Sequence, residues 1–209
     1  MEASFYDIAI VGSGPIGASS AYFLSEARDK KILLITQDPT DDHTATYKYA
    51  GGSIRWFWDD DLRREMTTVT AEFIKHLLRE GVDLSAIEDS YFFFGRGVVV
   101  PSLNISGAKL VDYFLKQAVS RGLTLQQNTL LQSVTKEGDA YSLVTNNGTF
   151  AANKVLLALG TANKKFVDLD LEVEKRQLFV LNLPVDELRK KLPHLIFPVQ
   201  NGVAFVFVK

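Results

Sequence analysis

Ten residues near the start of the chain, IAIVGSGPIG at positions 8–17, restrict its fold more than any other stretch. Ile8, Ala9, Ile10 and Val11 form an apolar, largely β-branched run, the pattern of a strand covered on both faces. Gly12, Gly14 and Gly17 follow in the G-x-G-x-x-G spacing. That spacing permits a tight turn, a close backbone approach to a pyrophosphate, and contact between a helix and a strand. Residues 18–24 are small and helix-compatible, and Pro15 suits a first helical turn, where its missing N–H would have had no partner. Free amides and the positive dipole end of such a helix favour a phosphate group. Three glycines also occur in ordinary strand-to-helix connections, so the spacing alone leaves both readings open. A polar connection at 29–31 and a second apolar run, Ile32, Leu33, Leu34 and Ile35, complete a strand–turn–helix–strand unit in about 30 residues. This context favours a nucleotide site.

Composition narrows the remaining classes. A chain of 209 residues, 46% hydrophobic and free of low-complexity tracts, buries a substantial core in one or two domains. Its net charge of −2 and the lack of long Lys/Arg blocks argue against nucleic acid or an acidic membrane as the main partner. No apolar run reaches membrane-spanning length. The first strand begins so early that no secretory leader is expected, and the expected location is cytoplasmic. The absence of cysteine agrees with that, and removes a thiol nucleophile, a cysteinyl flavin link, an iron–sulfur cluster and a Cys-ligated zinc. His43, His76 and His194 have no metal-ligand spacing, so no metal is expected, and His76 reads as a structural or surface residue of a helix. Asn104-Ile105-Ser106 and Asn147-Gly148-Thr149 match glycosylation sequons but read as turns.

Further along, residues 38–48 are expected to form a loop leading into YAGGSIRWFWDDD. A helix should begin near Asp59 or Asp60 and stop at Gly81, burying the stripe Leu62, Met66, Val69, Phe73 and Leu77. Residues 91–94 and 98–100 predict a hairpin around Gly95-Arg96-Gly97. A second amphipathic helix over 109–121 is expected to turn Leu110, Val111, Phe114, Leu115 and Ala118 inward, with Ser106 as cap and Gly122 as stop. After a short strand at 123–125, residues 131–136, 140–145 and 149–152 read as a β-meander with turns at Gly138-Asp139 and Asn146-Asn147-Gly148. The run KVLLALG then reads as a separate returning strand of the parallel sheet. The fold class is therefore α/β, with a parallel sheet on residues 5–11, 32–36 and 154–158.

In this order, DIAIVGSGPIGASSAYFL, YAGGSIR, SGAKLVDYFLKQAVSRGLTL, NTLLQSVTKEGDAYSLVTNNGTFAANKVLLALGTA and RQLFVLNL resemble the D-amino-acid-oxidase-like family of FAD-dependent oxidoreductases. That family includes glycine oxidase and the sarcosine oxidases. The resemblance implies a Rossmann-type FAD domain with a β-meander, interleaved with part of an antiparallel (α+β) substrate domain. The implied division is 1–80 and 123–168 for FAD, and 81–122 and 169–209 for substrate. It implies oxidation of a C–N bond in a small amine or amino acid by hydride transfer to flavin. Gly12, Ser13, Gly14, Ile16 and Gly17 would surround the pyrophosphate. Gly51 and Gly52, with Ser53 and Ile54 beside them, would approach the flavin, although a purely structural glycine turn accounts for the same pair. The backbone of Leu131 would meet adenine, and Ala158, Gly160 and Thr161 would form the small-residue turn beside FAD.

Three departures accompany the resemblance. Where family members end their second strand in an acid that grips the adenosine ribose, this chain has Thr36, followed by Gln37, whose hydroxyl and amide can still hydrogen-bond a ribose. Where some relatives attach flavin through a histidine, Tyr49 stands, so FAD is expected to be non-covalent. The resemblance also stops at Lys209, within the implied substrate domain of a family whose members run to nearly twice this length. A fragment or one part of a split enzyme is therefore expected, with an open flavin end. Its edge strand at 202–209 would be completed by a second polypeptide or by self-association. Arg55 and Arg176 are candidate partners for a substrate carboxylate by charge type, with surface or domain-packing roles as the other reading. No catalytic base is assigned. A non-catalytic nucleotide-binding subunit and an NAD-binding protein remain the alternatives.

Overall fold

The computed structural model describes residues 4–37, 46–50, 52–56, 58–93, 96–172, 194–199 and 202–206. In chain order these form β1 (Ser4–Val11), α1 (Pro15–Leu24), β2 (Ile32–Ile35), α2 (Thr46–Tyr49), β3 (Ser53–Arg55) and α3 (Asp61–Arg79). Then come β4 (Ile87–Phe93), β5 (Val98–Asn104), α4 (Gly107–Ser120), β6 (Thr124–Gln126), β7 (Leu131–Glu137), β8 (Ala140–Thr145) and β9 (Gly148–Leu157). A 3-10 turn at Gly160–Lys165, β10 (His194–Val199) and β11 (Gly202–Val206) complete the set. The chain divides into two compact units, residues 1–49 with 110–175 and residues 50–109 with 176–209. These boundaries differ from the expected 80/81, 122/123 and 168/169. Helix α3 falls with the second unit, close to β3, and most of α4 falls with the first.

The first unit is built on a six-stranded sheet of order β6-β2-β1-β9-β8-β7. Its first four strands are parallel, with Ile8 opposite both Ile32 and Lys154, and Leu33 opposite Thr124. The expected parallel arrangement of the three apolar runs is thus present. Ile10, Leu33, Leu34 and Ile35 are fully buried, which stabilises by about 1.5–3 kcal/mol per side chain. One apolar cluster joins Ile10, Ile32 and Leu34 to Ala21 of α1 and Ala118 of α4. Another joins Val11, Leu33 and Ile35 to Leu131 and Leu143 of the meander. Val111, Phe114 and Ala118 are the buried residues of α4, and the Ser106 hydroxyl accepts from the Lys109 amide at 3.3 Å, capping it as expected. Leu110 and Leu115 of the same stripe are only half-buried.

One correction concerns the returning strand. Residues 149–152 and 154–158 are not two strands: β9 is continuous from Gly148 to Leu157. Its first half pairs antiparallel with β8 from Gly148 to Ala152, and it pairs parallel with β1 from Phe150 to Leu157. The polar pair Asn153-Lys154 looks like a break in sequence, but both side chains are exposed, so the strand runs through them without burying a polar group.

The second unit contains a five-stranded sheet of order β11-β10-β4-β5-β3. The hairpin of β4 and β5 is longer than the sequence suggested, pairing Ile87 with Asn104 through Phe93 with Val98. The sheet is mixed, because β10 runs parallel to β4, with His194 opposite Tyr91. Strand β11 pairs with β10 and is outermost among the described strands. Helix α3 starts where the acids predicted, with the Asp60 carboxylate accepting from the Arg63 amide at 2.8 Å. Its expected stripe is corrected: Leu62, Met66 and Val69 are exposed, and Ala71, Ile74 and Leu77 are buried. Only the C-terminal half of α3 lies on the core, so apolar spacing in its first half does not mark an inward face. His76 is exposed on this helix.

Candidate functional site

The carboxyl ends of the parallel strands in the first unit converge on the glycine turn. The Gly12 amide donates to the Ile35 carbonyl at 2.8 Å, the Ala158 amide to Val11 at 2.7 Å, and the Thr36 amide to Gln126 at 2.9 Å. Ligands of open α/β sheets bind at these strand ends. The three glycines have separable reasons to lack a side chain. Gly12 has φ +106°, and a Cβ there would lie 2.4 Å from the Ala158 carbonyl oxygen. A Cβ on Gly17 would lie 1.8 Å from the Gly12 oxygen, so the third glycine lets α1 close onto the turn. Gly14, the N-cap of α1, has an ordinary φ of −65°, and a Cβ there would meet nothing within 4 Å.

Packing therefore explains Gly12 and Gly17 but not Gly14. Open space beside a Cβ-free backbone at a helix start, where the first amides have no intrahelical acceptor, suits an anionic group passing close to the chain. Ile16 projects beyond it, 68% exposed. Ser13 is buried, and its hydroxyl bonds that of Thr36 at 2.7 Å, fixing the glycine turn to the end of β2. Gln37 follows with its side chain exposed. Leu131 is buried at the start of β7. Ala158 packs under Gly12 and Gly17. Gly160, at φ +59°, opens the 3-10 turn that contains the exposed Thr161.

The remaining sequence candidates lie in the second unit. Gly52, at φ +64°, would place a Cβ 2.0 Å from the Ile105 carbonyl oxygen, and its own carbonyl accepts from the Ile105 amide at 3.0 Å. Packing alone thus accounts for this glycine. Ser53 and Ile54 lie in β3, opposite Asn104 and Leu103. The Arg55 guanidinium sits 4.4 Å from the Trp58 ring centre, 5.6 Å from Phe93 and 5.9 Å from Tyr91. Among the described residues, no carboxylate lies within ion-pair distance of it. Burial pushes the Tyr91 phenol above its ordinary range, against the opposing effects of Ser53 and Arg55. A shallow cavity of about 340 Å³ runs between Arg55 and Trp58 on one side and Arg63, Met66 and Thr70 of α3 on the other. Gly51 and Arg176 lie outside the described residues, and no metal-binding cluster occurs among the described ones.

The sequence reading missed the side chains that hold the loop between β6 and β7. Asn146 and Asn147, read only as turn residues, both bond that loop. The visible signal was two consecutive asparagines, each with a side-chain amide to spare, in a single turn.

A glycine turn and helix start at the switch between parallel strands define an α/β dinucleotide-binding protein. Residues 7–96 match the model of the DAO family, described as FAD dependent oxidoreductase. FAD is accordingly the cofactor class, and the open backbone at Gly14 leaves room for a phosphate group. Ferredoxin–NADP reductase 1 of Listeria innocua is 26% identical over 163 residues, covering 77% of this chain and 36% of the reductase. Glycine oxidase from Geobacillus kaustophilus has TM-score 0.62 at 19% identity, with 74% of this chain and 55% of the oxidase covered. L-proline dehydrogenase from P. horikoshii has TM-score 0.67 at 16% identity, covering 79% and 55%. The chain thus spans about a third of its curated relatives and about half of these solved structures.

Proposed function

We propose that this chain is part of a FAD-dependent oxidoreductase that oxidises a C–N bond of a small amine or amino acid. The open space at Gly14 is the observation that carries the reading, because it alone among the three turn glycines has no internal cause. Bound FAD supplies the hydride acceptor. The chain's own residues would hold it: the amides at the start of α1 would bind the pyrophosphate, Ser13 and Thr36, bonded to each other, fix the turn, and the small Ala158 and Gly160 would leave room beside it. The first unit takes the role of the Rossmann-type FAD domain, and the second that of the substrate sheet.

Amino-acid substrates are supported by the amino-acid-oxidising enzymes of similar fold, among them glycine oxidase and L-proline dehydrogenase. Arg55, held against aromatic rings with no carboxylate within ion-pair distance among the described residues, is the described residue best suited to a substrate carboxylate. Arg176 keeps the same proposed role. Tyr49 in place of a flavin-linking histidine supports non-covalent FAD. The proposed setting is cytoplasmic, with a second polypeptide or a second copy completing the second sheet.

The test is an absorbance spectrum of the purified chain, titration with FAD and with NAD, and peroxide or dye assays over amino acids and N-methyl amines. Flavin binding is expected. Tight NAD binding without flavin binding would overturn the reading, and FAD binding without turnover, alone or with a second polypeptide, would favour a non-catalytic nucleotide-binding subunit.

A further inference from the structure

The turn between β8 and β9 is built as a clamp on a loop of another part of the same sheet. The Asn147 Nδ2 group donates to the Asn128 carbonyl at 3.0 Å and to the Thr129 hydroxyl at 3.0 Å. Asn146 adds a second bond to the Asn128 carbonyl at 3.3 Å, and its side-chain oxygen accepts from the Leu130 amide at 2.7 Å. Asn128 is held at φ +53°, a left-handed conformation that an L residue adopts only at some cost and that asparagine tolerates better than most. Thr129 is almost wholly buried, and its amide donates to the Thr36 carbonyl at 2.9 Å.

The bonds form one line. It runs from Asn147 through Thr129 to Thr36, and from the Thr36 hydroxyl to Ser13 in the glycine turn. The clamped loop leads directly into Leu131, so its position sets where the backbone of that residue lies relative to the end of β2.

We propose that Asn147 is a positioning residue for the adenosine end of the nucleotide site, acting through Thr129 and the 128–130 loop. The inference rests on the reading of this unit as the FAD-holding unit. Asn147 itself is exposed and has no positive φ, so its replacement leaves the turn backbone unstrained. An aspartate there keeps the shape but turns an oxygen toward the Asn128 carbonyl where a donor stood, which opposes two acceptors.

The experiment compares the unaltered chain with Asn147→Asp and Asn147→Ala, titrating FAD by flavin fluorescence and ADP by calorimetry, and measuring ligand-free melting by circular dichroism. ADP carries the adenosine end without the flavin. Both variants are expected to lose affinity for FAD and ADP in parallel, about tenfold each, the scale of one or two lost hydrogen bonds. Because the lost bonds are internal, the ligand-free melting temperature should fall by about 2–6 °C, so both titrations are made well below it, where each variant is fully folded. Unchanged ADP affinity in the folded variants would overturn the inference while leaving the FAD reading intact, and so would a loss of FAD affinity without a loss for ADP. Failure of the unaltered chain to bind FAD or ADP would overturn the FAD reading itself, and this inference with it.

Discussion

Alanine placed in turn at the three glycines of the first strand–helix connection separates packing from ligand contact. At Gly12 the new Cβ would sit 2.4 Å from a backbone oxygen on a residue at φ +106°. Backbone strain of roughly 1–3 kcal/mol and overpacking of roughly 1–3 kcal/mol together give a loss of about 2–6 kcal/mol. Against a total stability of about 5–15 kcal/mol this is a severe lesion. Gly17→Ala meets the Gly12 oxygen at 1.8 Å without the φ penalty, so α1 must shift, at about 1–3 kcal/mol or more.

Gly14→Ala meets nothing within 4 Å at an ordinary φ, and its ligand-free stability should change by less than about 1 kcal/mol. The signature is in the response to FAD. At one hundred times its dissociation constant, FAD stabilises the unaltered chain by about 2.7 kcal/mol, which is about 5–10 °C of melting temperature for a chain of this size. A hundredfold weaker Gly14→Ala variant at the same concentration would retain only about 0.4 kcal/mol, a shift of about 1–2 °C. Paired thermal melts by circular dichroism, with and without FAD, read both effects. A Gly14→Ala protein with an undiminished FAD shift, or a Gly12→Ala protein as stable as the parent, would refute the separation.

Thr36→Val removes the buried bond to Ser13 and should cost about 1–2 kcal/mol in urea unfolding, because the Ser13 hydroxyl is left without its partner. On α3, Ile74→Ala should cost about 2–5 kcal/mol in the same assay, whereas Met66→Lys on the exposed half should stay within about 0.5 kcal/mol. The Arg96 guanidinium bonds the Asp59 carboxylate at 2.7 and 3.2 Å and holds it below the usual carboxylate range. Its contribution is therefore complete above the ordinary carboxylate range and fades as pH falls through the depressed value. Arg96→Gln should return the Asp59 midpoint upward in a carboxyl NMR titration, and an unmoved midpoint would contradict the pairing.

The glycine turn was readable because its information is local: strand, spacing and helix start lie within 17 consecutive residues of IAIVGSGPIGASSAYFL. The parallel sheet followed from short runs such as Ile32–Ile35 that are apolar on both faces. The buried face of α3 was misread because spacing says which residues share a face, not how far along the helix the core extends. The Asn147 clamp depends on partners 18 and 19 residues away, and no spacing rule links a hairpin turn to a preceding loop. Gly52 looked like a ligand-approach glycine because the conformation it needs is common to both uses. Only the position of the Ile105 carbonyl distinguishes them.

The continuity of β9 determines how the first unit can open. Residues 148–152 of this ten-residue strand bond β8 and residues 150–157 bond β1, so residues 150–152 carry both pairings and tie the hairpin to the parallel core. Peeling β8 from residues 148–152 bares backbone groups of the strand that delivers Ala158 to the glycine turn. Amide hydrogens of β8, β9 and β1 should therefore exchange as a single cooperative block, and nucleotide bound at the turn should slow exchange as far away as Tyr141, in a strand it never touches.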